Sequence, residues 1–176
     1  MTTAPTLFDT ATPAATPAAT PAATPAATPA AGPRPLVIVL PAGLDLLNSN
    51  QRLHHAPKGK LTAAIRAETH KAITESPALM QALAAAKPGP LYQRIHVLGI
   101  LHPPKNDRRD PANWYPSFKA AIDGLVDADI VEDDDHTRVI GPDMRLGEKR
   151  KGGQLVLVVR PLEPGQDPLG FAAVTR

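Results

Sequence analysis

Hydrophobic and polar positions mark out four short strand-like stretches and two helical ones. Residues 35–41, PLVIVLP, are rich in β-branched side chains and bounded by prolines, the pattern of a buried strand. Residues 42–60 carry turn formers and scattered basic residues and read as a long polar loop. From Leu61 the chain reads as a helix with only an approximate apolar stripe (Ala63, Ile65, Ala67, Ala72, Ile73), and Pro77 divides it in two. Residues 91–103 alternate, with Ile95, Val97, Gly99 and Leu101 on one face, and predict a second strand. Residues 113–128 place Phe118, Ile122, Leu125 and Val126 on one helical face. Residues 137–146 and 153–162 supply the last two strands, joined across the basic turn GEKRKGG. The order β-α-β-α-β-β predicts a small α+β domain: one mixed sheet of about four strands with two helices on a face.

What precedes this domain is different in kind. Residues 12–31 are Thr-Pro-Ala-Ala repeated five times. Proline at every fourth position removes donors and blocks helix, and the small side chains supply no core. Residues 1–34 therefore read as a disordered, polyproline-II-like tail, residues 35–163 as the folded domain, and residues 164–176 as a loose end. Within the tail, Leu7-Phe8 is similar to the end of the bacterial sliding-clamp-binding peptide but lacks its opening glutamine. It reads either as a docking peptide or as a chance apolar pair. The aliphatic runs are too short to span a bilayer, and no secretory signal is visible, so a cytoplasmic protein is expected. Cysteine is absent, which removes disulfides, thiolate ligands and thiol nucleophiles and fits a reducing interior.

The net charge of +2 conceals an uneven distribution. Basic residues dominate between Arg52 and Arg109 and return at Arg145, Lys149, Arg150 and Lys151, while acidic ones bunch between Asp123 and Asp135. Such separation can draw a polyanion around an acidic site. Asp107 and Asp110 lie before the 113–128 helix, and Glu132 to Asp135 follow it. The ends of that helix are roughly 24 Å apart, so the acidic clusters meet only if the chain runs back along it. Ile130-Val131 offers an apolar pair that would pack on the helix during such a return. Converging carboxylates repel unless a cation neutralises them, and oxygen ligands without cysteine favour Mg²⁺ or Mn²⁺. The plainer alternatives are a solvated acidic turn and a surface ion pair between Asp110 and its arginine neighbours. The six histidines show no regular ligand spacing.

Several landmarks occur together in one order. A strand ending in Leu-Pro precedes an Asn-rich loop (Asn48-Ser49-Asn50), and a later strand leads to Arg108-Arg109-Asp110. KAAIDGL (119–125), the EDDD cluster (132–135) and a KGG turn (151–153) follow. In this, residues 35–162 resemble the RusA family of Holliday-junction resolvases, homodimeric Mg²⁺-dependent endonucleases that cut four-way DNA junctions in recombination and repair. The resemblance implies catalytic roles for Asp110, Asp134 and Lys119. It implies a metal, Mg²⁺ or Mn²⁺, held by Asp110 and Asp134 with Asp133 or Asn113, and it implies a homodimer on branched DNA. Arg52, Lys58, Lys60, Arg108, Arg109, Lys149, Arg150 and Lys151 then become candidate phosphate contacts. Trp114 and Tyr115 either stack on an unpaired base or pack at the helix start.

The chain departs from the family pattern at two points. Where the family has Asp-x-Asp-Asn, this sequence reads Asp-Pro-Ala-Asn, with Ala112 in place of the second aspartate. About three residues are also inserted between Asn113 and Lys119, nearly one helical turn. The lost carboxylate leaves two readings open: an enzyme in which Asn113 or Asp107 takes over the ligand, or a catalytically silent protein that binds DNA junctions without cutting them.

Overall fold

The computed structural model describes residues 34–106 and 109–167. Its elements follow the expected order with one helix more: β1 (Leu36–Val39), α1 (His55–Thr74), α2 (Pro77–Ala86), β2 (Ile95–His102), a 3-10 turn (Pro111–Trp114), α3 (Tyr115–Asp127), β3 (Val139–Leu146) and β4 (Gln154–Pro161). The strands form one mixed sheet in the order β1-β4-β2-β3. β4 runs antiparallel to both β1 and β2, whereas β2 and β3 are parallel. A parallel pair needs a crossover, and α3 supplies it. The basic turn between β3 and β4 thus links strands that are not neighbours, because β2 lies between them.

One expectation fails at the start of α1. Residues 42–60 read as loop, yet the helix begins at His55 and takes in Pro57 and Gly59. Pro57 falls in the first turn, where backbone N–H groups have no intrahelical acceptor, so its missing donor removes nothing. Lys58 and Lys60 consequently sit on an exposed helical turn rather than in a loop. Pro77 acts as foreseen: α1 ends at Thr74, and α2 starts on Pro77 with Ser76 as its N-cap.

The core lies between one face of the sheet and the helices. Ile95, Val97 and Leu101 of β2, Leu155, Leu157 and Val159 of β4, and Ile38 of β1 all point inward and are buried. Phe118, Ala121, Ile122 and Leu125 of α3 meet them, while Val126 is only partly buried. The Phe118 ring occupies the space that a side chain at Gly99 would need. α1 packs on α3 at similarly close range, since a Cβ on Gly124 would come within 2.6 Å of the Arg66 carbonyl oxygen and 2.7 Å of Thr69 Cβ. Gly124→Val is therefore expected to push α1 off α3 and to destabilise the fold by about 2–3 kcal/mol, the scale of an overpacked core. The shift in a urea unfolding midpoint measures it.

Among the described residues the other face of the sheet is less covered. Val37 and Val39 are 59% and 46% exposed there, and Leu98, Ile100 and Val158 are partly exposed beside them. Among the described residues no helix is long and apolar enough to cross a membrane. The Thr-Pro-Ala-Ala tail, Leu7-Phe8 and residues 168–176 lie outside the described residues.

Candidate functional site

After α3 the chain turns at Asp129, whose φ is +56°. Ile130 and Val131 are fully buried in the core cluster. This return brings the EDDD segment alongside the helix it has just left. Asp134 Oδ2 accepts a hydrogen bond from Lys119 Nζ, four residues from the start of α3. The same ammonium donates to Asp123 Oδ1 at 2.5 Å, one turn along the helix. Two carboxylates from separate segments thus converge on one cation. Asp133 does not join them; its Oδ1 accepts from the Asp134 backbone N–H at 2.7 Å and fixes the turn. Asp135 in the same way holds Thr137, through its N–H at 2.6 Å and its hydroxyl at 2.5 Å.

The electrostatics follow from this geometry. The Lys119 hydrogen bond holds the Asp134 carboxyl below the usual aspartate value, against the opposing pull of partial burial. For Lys119, burial disfavours the ammonium, but the hydrogen bonds and charges of Asp123 and Asp134 outweigh it, and the net shift is upward. Beside this group Arg66 of α1 pairs with Asp127 through both carboxylate oxygens. That hydrogen bond is the main cause of the lowered Asp127 carboxyl and the raised Arg66 guanidinium, whose charge also faces Asp123 and Asp134.

A pH dependence results. A lowered aspartate contributes stability that is present above its unfolded pKa and is lost as pH falls through the folded value. A raised lysine contributes stability that is present below its unfolded pKa and is lost as pH rises through the folded one. The stability difference between wild type and Asp134→Asn is therefore expected to stay level from about pH 6 to about pH 9 and to shrink toward about pH 2–3. Urea midpoints across that range test it.

Asp110 stands at the other end of this region. It caps the 3-10 turn, its Oδ1 accepting from the Ala112 N–H at 2.9 Å, and it is exposed. Ala112 is exposed as well. Asn113 is held through its backbone: its carbonyl accepts from Ser49 N–H at 2.7 Å, and its own N–H donates to the Asp110 carbonyl at 3.2 Å. The Asn-rich loop is pinned again by Ser117, whose buried hydroxyl accepts from Leu47 N–H at 2.7 Å and donates to the Leu47 carbonyl at 2.9 Å. The loop therefore wraps the start of α3.

Of the basic candidates, Lys58 and Arg109 border that wrapped corner. Arg52, Lys58 and Lys60 are exposed, and Lys58 borders a small depression together with Asn48, Gln51 and Pro116. Arg109 lies over the Trp114 ring, 5.3 Å from its centroid. Trp114 packs against the core, whereas Tyr115 is 47% exposed. Lys149, Arg150 and Lys151 are exposed in the β3–β4 connection, which Arg150 N–H ties to the Pro103 carbonyl at 2.9 Å. Arg108 and Asp107 lie outside the described residues.

In donor chemistry the acidic residues suit Mg²⁺ or Mn²⁺, because carboxylate oxygens are hard ligands. Their grouping fits only in part. Asp123 and Asp134 share a cation, yet among the described residues no group of three or more His, Cys, Asp or Glu side chains could hold a metal ion. Asp123 was not among the candidates from the sequence, although its i,i+4 spacing from Lys119 carries the signal. Set against known proteins, the chain matches no family model and no curated sequence.

Proposed function

We propose that the protein is a metal-dependent, structure-selective endonuclease of the RusA type, which resolves four-way DNA junctions. One observation carries the proposal: Lys119 and Asp134, fifteen residues apart and both given roles by the resemblance, are joined by a hydrogen bond. The buried Ile130-Val131 pair turns the segment back along the helix, and the lysine it meets there is itself partly withdrawn from water. The basic corner around the start of α3 supports a polyanionic partner, and its contacts would make binding steeply salt-dependent.

Asp110 and Asp134, with Asn113, are the residues that would hold Mg²⁺ or Mn²⁺, whose chemistry there is to activate a water and stabilise the leaving oxygen. Lys119 is held by Asp123 and Asp134 until substrate arrives. Its ammonium then offsets charge that develops on the phosphate. Arg109 and the 149–151 segment hold flanking phosphates and fix the strand against the acidic group.

A four-way junction has approximate twofold symmetry, which suits a C2 homodimer with one site per subunit. The partly exposed apolar sheet face of Val37, Val39, Leu98, Ile100 and Val158 supports that assembly. Ile100→Asp is expected to convert a dimer into a monomer, read by sedimentation. An unchanged dimer would place the interface elsewhere.

Ala112 favours a second reading, a junction-binding protein that no longer cuts, since a methyl group stands where the resemblance has a carboxylate. Synthetic four-way junction, linear duplex and purified protein in Mg²⁺ or Mn²⁺ separate the two. Nicked junction supports the enzyme. Tight, salt-sensitive junction binding without nicks supports the silent binder, and equal affinity for junction and duplex contradicts both.

A further inference from the structure

A cavity of about 570 Å³ opens at the carboxyl end of β2, within the usual range for small-ligand pockets. It is bounded by the Asn-rich loop, by Arg109 and Trp114 next to Asp110, and by Gly152-Gly153 of the β3–β4 connection. The two glycines allow the close approach that shapes it. Both have positive φ, and a Cβ on Gly152 would come within 3.0 Å of Gly43 N while one on Gly153 would come within 3.3 Å of Pro104 Cδ.

We propose that the cavity receives one unpaired nucleobase of the bound DNA, beside the strand that is cut; this rests on the DNA-junction reading. The walls carry the groups that recognise a splayed base. The Arg109 guanidinium, which covers the Trp114 ring at 5.3 Å from its centroid, provides a planar cationic surface on which a base stacks. Asn48 and Gln51 provide amides whose oxygens are already committed. Asn48 Oδ1 accepts from Asn50 N–H at 2.8 Å, and Gln51 Oε1 accepts from Asn48 N–H at 3.0 Å. Each amide is thereby turned by its own loop so that its NH₂ group remains the available donor. Donors suit the carbonyl and ring-nitrogen acceptors on a base edge, and the Asp45 carboxylate on the same wall suits an exocyclic amino group. A paired base hides its Watson–Crick edge and its ring faces within the duplex, whereas an open junction centre exposes them. The cavity thus gives a reason for junctions to be preferred over duplex that phosphate contacts alone do not.

Trp114 is the only tryptophan, so its emission reports on the cavity directly. Full-length protein is titrated in EDTA with an intact four-way junction and with one whose nucleotides flanking the crossover are abasic. Binding is followed by anisotropy of a labelled strand and occupancy by Trp114 emission. The abasic junction is expected to bind about tenfold more weakly, the scale of one stacked base, and to lose most of the emission change. Asn48→Ala is expected to narrow the difference between the two junctions. Equal affinity and equal emission change for both junctions would overturn the pocket and leave the junction reading intact. No binding of either junction would overturn both.

Discussion

Asp134→Asn is expected to lower the single-turnover rate of junction cleavage by ~1000-fold, the order seen when one electrostatic contact to a transition state is lost, here through the metal that the carboxylate would hold. The substitution keeps the shape of the side chain and removes only its charge. Structurally the loss is small. Lys119 and Asp134 side chains are 43% and 25% exposed, so their ion pair contributes roughly 1 kcal/mol or less to stability after solvent screening. Asp123 continues to hold the ammonium at 2.5 Å, and Asp133 still caps the turn through its backbone contact. The variant should therefore melt within a few degrees of wild type and bind junctions at least as well, since one negative charge near the phosphates is gone. Cleavage retained within tenfold would remove Asp134 from the site. A collapse of the melting temperature would assign it to the fold instead.

Phe118→Ala should produce the largest loss of stability, about 3–5 kcal/mol. The ring is fully buried at the contact between α3 and the central strand, directly over Gly99. Its removal leaves a cavity that the sheet cannot close without moving α3. Because a side chain at Gly99 would occupy the ring's place, Gly99→Val alone should also destabilise, yet combined with Phe118→Ala it should recover part of the loss. That sign reversal, read from urea midpoints of the four proteins of the cycle, distinguishes a filled cavity from two independent defects. Phe118 immediately precedes Lys119, so a displaced helix also displaces the ammonium. Residual cleavage by folded Phe118→Ala should fall accordingly.

The strands were legible because alternation survives in them. The expected face of Ile95, Val97, Gly99 and Leu101 is the face that meets the helices, down to Gly99 beneath the Phe118 ring. The return of Ile130-Val131 onto the helix was legible for a similar reason, as an apolar pair among acids that has to be buried somewhere. The start of α1 was not. Pro57 and Gly59 signal a turn in any local reading, and nothing local says that proline falls in a first turn where its defect is harmless. Strand adjacency was equally hidden, because the short link between β3 and β4 looks like a hairpin connection, whereas the apolar content of β2 places it in the middle of the sheet, between them.

At the candidate site, the resemblance singled out Lys119 and Asp134 one by one, and only the structure joins them by a hydrogen bond. Asp123 was passed over because an i,i+4 carboxylate on a helix usually signals only a surface pair. Here it shares its lysine with a residue from another segment, so the helix pair becomes part of a tertiary cluster. The arrangement also recasts Ala112. The backbone N–H of this residue, not its side chain, is what engages Asp110, at 2.9 Å. The acidic partner nearest to Lys119 along its helix is Asp123, so the lost carboxylate leaves the Lys119 cluster whole.

The most direct measurement uses a synthetic four-way junction labelled in turn on each of its four strands, incubated with the full-length protein and resolved on a denaturing gel. Two symmetric nicks in opposing strands are expected with Mg²⁺ or Mn²⁺, and none in EDTA. Four intact strands at saturating protein, in either metal, would contradict the endonuclease reading.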